Sequence, residues 1–328
     1  MVLPPTVETV GFFTTICMND INELRRLQSL PLDEKITLTK LRIQEWYEHW
    51  GGAVFVSFSG GKDSTVLLKL VRELYPDVKA VFCDTGLEYP EIKQHVKSFD
   101  NVEIIRPKKS FKQVVEEYGW VFPSKAVAEK IYYAKKGKQW AINHMNGLNT
   151  DGTPSAYNNK ICTKWKFLID APFKISKNCC YIMKKAPFHS YVNKNHLYQY
   201  LGMLADEGQL RENLWLKEGC NGFSATKYKS SRPLMFWTEQ DILQYIYENN
   251  VKIPSVYGEV IKQDNNYSVT GVTRTGCIFC PISCHLDNRF QQLHKTHPKL
   301  WEYVMYQLHL KEFLDYVGEQ RGKKICYN

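Results

Sequence analysis

The stretch AVFVSFSGGKDSTVLLKLVREL, from Ala53 to Leu74, narrows the choice of fold more than any other part of the chain. A short apolar run of strand length meets two adjacent glycines, and helical periodicity begins straight after them. Further strand-like runs, VKAVFCD and NVEIIRP, follow, with a helix expected around EYPEIKQHVKSF between them. That alternation predicts an α/β fold, a doubly wound and mainly parallel sheet. The glycines let the backbone approach a ligand, Ser59 and Ser64 offer hydroxyls, and the unpaired N–H groups of the following helix face the loop, so the turn suits a phosphate. It is not the GxxxxGK[ST] loop of ordinary nucleoside triphosphatases, because Lys62 sits inside the turn.

Before this unit, ELRRLQSL and the spacing of Ile43, Trp46, Tyr47 and Trp50 predict an N-terminal helical segment over residues 1–50. A nucleotide-binding α/β domain is expected over 51–250 and a cysteine- and histidine-bearing portion over 251–328. Residues 125–163 lack apolar periodicity and read as an excursion from the sheet, whereas TEQDILQYIYENN opens with a Thr-x-x-Asp cap and predicts a helix that ends before Pro254. No stretch approaches the roughly 18 consecutive apolar residues of a membrane span, and MVLPPTVETV lacks the features of a secretory signal, so a cytoplasmic protein with no membrane partner is expected. Forty-three Lys+Arg against 34 Asp+Glu leave a net charge of +9, which favours anionic ligands.

The glycine loop SGGKDS, together with CDTGLEYPE on the second strand, resembles the PP-loop ATP pyrophosphatases and, within them, the phosphoadenosine phosphosulfate (PAPS) reductase family. The resemblance covers about residues 50–300 and implies an adenine-nucleotide sandwich fold. It implies that Ser59, Gly60, Gly61, Lys62, Asp63 and Ser64 hold a nucleotide phosphate or sulfate, with Asp84, Thr85, Gly86 and Glu88 lining the same cleft. YLGMLADEGQLRENLW is similar to a family segment in which Gly202, Glu207 and Arg211 follow a strand and Arg211 contacts the nucleotide. The adenine nucleotide implied is ATP, adenosine phosphosulfate (APS) or PAPS, with magnesium if it is ATP.

Ten cysteines without an export signal point to metal binding, redox chemistry or burial. Cys179 and Cys180 are adjacent, with Lys184 and Pro187 behind them, and Cys277 and Cys280 form a Cys-x-x-Cys turn followed by Pro281. Four cysteines can hold an iron–sulfur cluster. The arrangement is similar to the iron–sulfur APS reductases, and by that resemblance the four thiolates bind one 4Fe-4S cluster while Lys184 lies between cluster and substrate. Zinc held by Cys277, Cys280, His294 and His297 is the alternative, and ordinary reduced thiols a third. Cys284 offers a replacement ligand, and Cys162 a further ligand or a sulfur-carrying thiol.

The family's reductases take their nucleophile from a C-terminal Glu-Cys-Gly-Leu-His tail, where this chain has RGKKICYN. Cys326 stands in a similar place beside Lys323 and Lys324, and the Gly-Leu-His portion is absent. The resemblance thus puts forward Lys62, Asp63, Lys184 and Cys326 as catalytic and implies sulfonucleotide reduction or sulfur transfer, with a reductant or sulfur-donor protein as a possible partner. The alternative is an ATP-dependent, pyrophosphate-releasing sulfurtransferase similar to DNA phosphorothioation and tRNA thiolation enzymes, for which the 20 tyrosines and 8 tryptophans would suit a nucleic-acid acceptor. A non-catalytic nucleotide and cluster sensor is the third hypothesis.

Overall fold

The computed structural model describes residues 20–156, 163–225, 228–264, 266–282 and 284–328. Helices α1 (Ile21–Gln28) and α2 (Leu32–His49) lead into β1 (Val54–Ser57), α3 (Lys62–Leu74), β2 (Ala80–Cys83), α4 (Pro90–Lys97) and β3 (Val102–Ile105). The long return from β3 carries α5 (Phe111–Tyr118), α6 (Lys125–Lys135), α7 (Gln139–Met145) and a 3-10 turn (Thr163–Ile169). It closes with α8 (Asn178–Cys180), which passes through a π-helical turn (Tyr181–Lys185) into α9 (Ala186–Asn195). Then come β4 (Tyr198–Leu201), α10 (Gln209–Glu218), β5 (Ser230–Ser231), α11 (Glu239–Glu248), the hairpin β6 (Val260–Gln263) and β7 (Asn266–Val269), and helices α12 (Arg289–Thr296), α13 (Pro298–Glu302) and α14 (Leu310–Arg321).

The five-stranded sheet has the order β3-β2-β1-β4-β5 and every pairing in it is parallel, as the βαβαβ alternation predicts. Val56 registers with Ala80 on one side and Tyr200 on the other. The order reverses between β1 and β4, and at such a switch point the loops at the carboxyl ends diverge and leave a crevice. Gly202, just after β4, is held there by packing: a Cβ on it would lie 3.1 Å from the Ser64 Cα and backbone nitrogen. The loop after β4 is thereby pressed against the first turn of α3.

One apolar core runs from Leu24 to Tyr327 and takes in all three segments. On α2, Ile43 and Trp46 are fully buried, while Trp50 stacks on Tyr198 at 3.4 Å and Tyr47 on Tyr75 at 3.6 Å. Polar links follow the same path. Lys35, almost fully buried, binds the Asp241 carboxylate of α11 at 2.7 Å, and Asp241 also completes the Thr238 capping box expected from TEQD. The C-terminal tail is pinned by Trp301, whose indole donates to the Tyr327 carbonyl (2.6 Å), and by the Tyr327 hydroxyl on Asp315 (2.6 Å). Among the described residues no helix is long and apolar enough to cross a membrane.

Candidate functional site

The glycine loop closes through its own serines. The Ser59 and Ser64 hydroxyls are 2.9 Å apart, the Gly61 N–H donates to Ser59 Oγ (3.3 Å), and Ser64 and Thr65 both donate to the Gly61 carbonyl at 3.0 Å. Gly60 has φ +73°, and a Cβ there would sit 2.7 Å from Val96 and 2.8 Å from Ile92, so both the conformation and the packing require glycine. Gly61 is the N-cap of α3, whose first-turn N–H groups have no intrahelical partner.

A cavity of about 360 Å³ opens at the switch point. Ser59, Gly61, Lys62, Asp63, Gly202 and Arg211 line it with Lys184, so the structure brings together residues expected from three separate motifs. Lys62 is buried and lies 3.2 Å from Glu239 and 3.7 Å from Asp63. Burial works against its charge, but Asp63, Tyr257 and Glu239 outweigh it and hold its pKa above the usual lysine value. Burial raises the Asp63 carboxyl despite nearby Lys62. Arg211 pairs with Glu207, and its pKa is lowered by burial and by the neighbouring charge of Arg274.

The segment after β2 is placed differently from the expectation that all of it lines this cleft. Asp84 binds Lys93 at 2.6 Å, accepts the Gly86 N–H at 3.2 Å and faces Arg106, partners that hold its carboxyl below the usual range against the effect of burial. Gly86 supplies a turn at φ +77°. Thr85 donates its hydroxyl (2.6 Å) and backbone N–H (3.1 Å) to Glu88, and Glu88 stands 4.0 Å from Lys184. None of these four residues lines the cavity; Glu88 reaches it through Lys184.

The four expected cysteines are near enough to act on one another electrostatically, and Lys184 acts on two of them, Cys180 and Cys277. The Cys179 and Cys180 sulfurs are 4.0 Å apart at the head of the π turn, an insertion that rotates the side chains after it relative to those before. Cys277 and Cys280 form a turn closed by the Cys280 N–H on the Cys277 carbonyl (3.1 Å). The hydrogen bond from Cys179 lowers the Cys180 thiol to about 6 against the opposing effect of burial, with Lys125 and Lys184 assisting. That bond and burial raise Cys179. Burial raises Cys277 and pushes Cys280 to about 12 in the thiol form, while the nearby charge of Lys184 pulls Cys277 the other way. Lys184 keeps a pKa above the usual value because Cys277 and Glu88 outweigh its burial.

Among the described residues no group of three or more His, Cys, Asp or Glu side chains is arranged to hold a single metal ion. One zinc requires all its sulfur and nitrogen ligands within about 2.0–2.3 Å of one point. The zinc quartet is not assembled: His297 hydrogen-bonds Glu91 (3.0 Å) and Thr296 (2.8 Å), and His294 packs on Trp301 at 4.1 Å. A 4Fe-4S cluster gives each thiolate its own iron, so its ligands stand farther apart than ligands sharing one ion. Two thiols from each of two segments, with Lys184 near Cys180 and Cys277, would suit that donor set. Cys284 is buried, its thiol pushed to about 12 by that burial, and Cys162 lies outside the described residues.

Cys326 is not brought to the cavity. It is exposed between buried Ile325 and Tyr327, the two residues that dock the tail on the C-terminal helices. The motifs left out Asp206, Glu239, Tyr257, Arg274 and Thr275, all of which line the cavity. Three of these carried a signal in the sequence: Glu239 is the first residue of the capped helix α11, and Arg274 and Thr275 stand just ahead of Gly276 and the Cys-x-x-Cys turn.

The family model described as the phosphoadenosine phosphosulfate reductase domain matches residues 53–139 and 155–283. The chain is 24% identical over 306 residues to an uncharacterized protein of Methanocaldococcus jannaschii, covering 88% of this chain and 58% of that one, so it spans little more than half of that relative. It is 21% identical to an adenosine 5′-phosphosulfate reductase of Staphylococcus haemolyticus, over 80% of this chain and 85% of the relative. It is also 28% identical to sulfate adenylyltransferase subunit 2 of Proteus mirabilis, over 61% of this chain and 58% of the relative.

Proposed function

Since this chain belongs to the phosphoadenosine phosphosulfate reductase family, we propose that it is an enzyme that binds an adenylyl nucleotide at the switch point and carries out sulfur chemistry beside a 4Fe-4S cluster. The observation that carries this reading is the position of Lys184, which lines the cavity and whose charge also acts on the Cys277 and Cys180 thiols. The nucleotide's anionic group would rest on the glycine loop and the first turn of α3, opposite Arg211. Lys62 and Lys184, both held protonated, would stabilise negative charge as it develops on the reacting group. Cys179, Cys180, Cys277 and Cys280 would hold the cluster, which when bound supplies an electron- or sulfide-carrying centre.

The reaction class divides on Cys326. A reductase of this family takes its attacking thiol from the tail, yet here the tail is docked by Trp301 and Asp315 and Cys326 faces solvent. That position favours the second reading, in which ATP adenylates an acceptor, pyrophosphate leaves and a sulfur nucleophile displaces AMP. Similarity to a sulfate adenylyltransferase subunit agrees with it.

Anaerobic purification with iron and acid-labile sulfide analysis, then incubation with ATP, APS and PAPS on the same sample, tests both levels. About four irons and four sulfides per chain are expected. Pyrophosphate release from ATP selects the sulfurtransferase, and sulfite release from APS or PAPS the reductase. Zinc without sulfide removes the cluster, and calorimetry showing no binding of any of the three nucleotides removes the whole reading.

A further inference from the structure

Residues 273–280 form a strap laid between the glycine loop and the segment after β2. At one end the Thr273 carbonyl accepts from Lys62 Nζ (3.4 Å), and the Thr275 hydroxyl lies 2.5 Å from the Tyr257 hydroxyl, which itself accepts the Lys62 N–H (3.3 Å). At the other end the Ile278 N–H donates to the Leu87 carbonyl (3.0 Å), and the Cys277 thiol feels the charge of Lys184. Arg274 lies in this strap and lines two neighbouring spaces: the cavity described above, and a second of about 350 Å³ shared with Tyr89, Cys277 and Arg289.

The cations of the main cavity are not equivalent. Lys62 has Asp63 and Glu239, Arg211 has Glu207, and Lys184 has Glu88. Arg274 alone of the four makes no hydrogen bond or ion pair among the described residues. It is exposed, near enough to Arg211 for the two charges to repel, and near enough to Asp63 to share that carboxylate's attraction with Arg211. Two guanidinium forks facing one space suit an oxyanion with several acceptor oxygens, whose negative charge would turn that repulsion into attraction.

We propose that Arg274 grips the anionic end of the nucleotide jointly with Arg211, its phosphosulfate or phosphoanhydride oxygens, and that this contact couples nucleotide occupancy to the Cys277–Cys280 turn. The inference rests on the nucleotide reading above and adds a binding residue and a linkage to it. Arg274 and Cys277 share one short strap, so an anion that fixes Arg274 also restricts the strap that presents the two thiols. By reciprocity, ligation of those thiols favours nucleotide binding to the same degree.

The test uses the full chain, stripped of metal under anaerobic conditions, with ATP, APS and inorganic pyrophosphate as probes. Calorimetry reports affinity, and iodoacetamide modification of Cys277, followed by peptide mass spectrometry, reports the strap. Arg274→Ala should weaken at least one probe by about ten- to hundredfold, the loss expected for a charge-assisted contact, and Arg274→Lys should recover only part of it. Saturating probe should slow Cys277 modification by about fivefold or more in the wild type and not in Arg274→Ala at equal occupancy. Thermal melts of both variants check that the exposed substitution leaves the fold intact. Wild-type affinity in Arg274→Ala overturns the grip, and Cys277 protection that persists in that variant overturns the coupling, while either result leaves the nucleotide reading standing. Failure of the wild type to bind any probe overturns that reading and the inference with it.

Discussion

Gly60 and Gly86 provide a matched pair for testing how the glycine loop is held. Both have left-handed backbones, φ +73° and +77°, so alanine at either meets the same conformational penalty, about 1–2 kcal/mol. They differ in what a Cβ would meet. At Gly86 nothing lies within 4 Å; at Gly60 the new atom falls 2.7 Å from Val96 Cγ2 and 2.8 Å from Ile92 Cγ2. Val96 and Ile92 are both buried side chains of α4 and have no open space to swing into. Overpacking of that kind adds about 1–3 kcal/mol. Gly86→Ala should therefore cost about 1–2 kcal/mol and Gly60→Ala about 2–5 kcal/mol. Urea unfolding of the metal-free chains, compared at equal slope, measures both. Equal losses would show that α4 yields freely and that the loop does not depend on contact with it.

Other perturbations separate the remaining parts. Lys35→Met leaves the Asp241 carboxylate unpaired in the core and should cost about 3–5 kcal/mol by thermal or urea unfolding; adding Asp241→Asn should return part of the loss. His95, buried against Thr65, Phe58 and Phe99, has its pKa lowered to about 4 by that burial. The unfolded chain takes up this proton near pH 6.5, so the contribution is complete above that pH and fades as pH falls toward 4, by about 3 kcal/mol at most; a pH series of urea melts should be flatter for His95→Gln. Cys277→Ser should remove iron and visible absorbance from anaerobically purified protein and, through the strap, weaken ATP binding by calorimetry without abolishing it. Cys326→Ser should leave product formation unchanged if the tail stays docked, and a complete loss would bring Cys326 into the reaction.

The fold was legible where local pattern and tertiary role agree. β1 and β2, central in the sheet, follow from apolar runs because a parallel sheet covered on both faces leaves its strands continuously apolar, and α3 and α4 follow from helical periods between them, while β3, at the edge, keeps only its β-branched residues as a signal. The 125–163 excursion gave no such signal. Its helices α6 and α7 bury little beyond Ala128, Ile131, Ala141 and Met145, too narrow a stripe to stand out from the lysines and tyrosines around it. β5 is two residues long, shorter than any periodicity can register.

The site was legible in its parts and not in its assembly, because a motif records local backbone demands and a cavity is made by convergence. SGGKDS states that a strand must turn into a helix with glycine at a left-handed position, and the turn after β1 has that form. Nothing in DTGLE states that Asp84 will turn to Lys93 and Arg106 while Glu88 turns to Lys184; α4, the end of β3 and the π turn decide that from outside the motif. Likewise Arg274 has no periodicity to mark it, and its place opposite Arg211 arises only when the Cys-x-x-Cys strap lies down across Lys62 and Tyr257. The strap's backbone tie to Lys62 and the charge of Lys184 beside Cys277 put the proposed nucleotide-gripping charge and the proposed cluster thiols on one short piece of chain. A substitution within it should therefore disturb both functions together, and one in the glycine loop mainly the first.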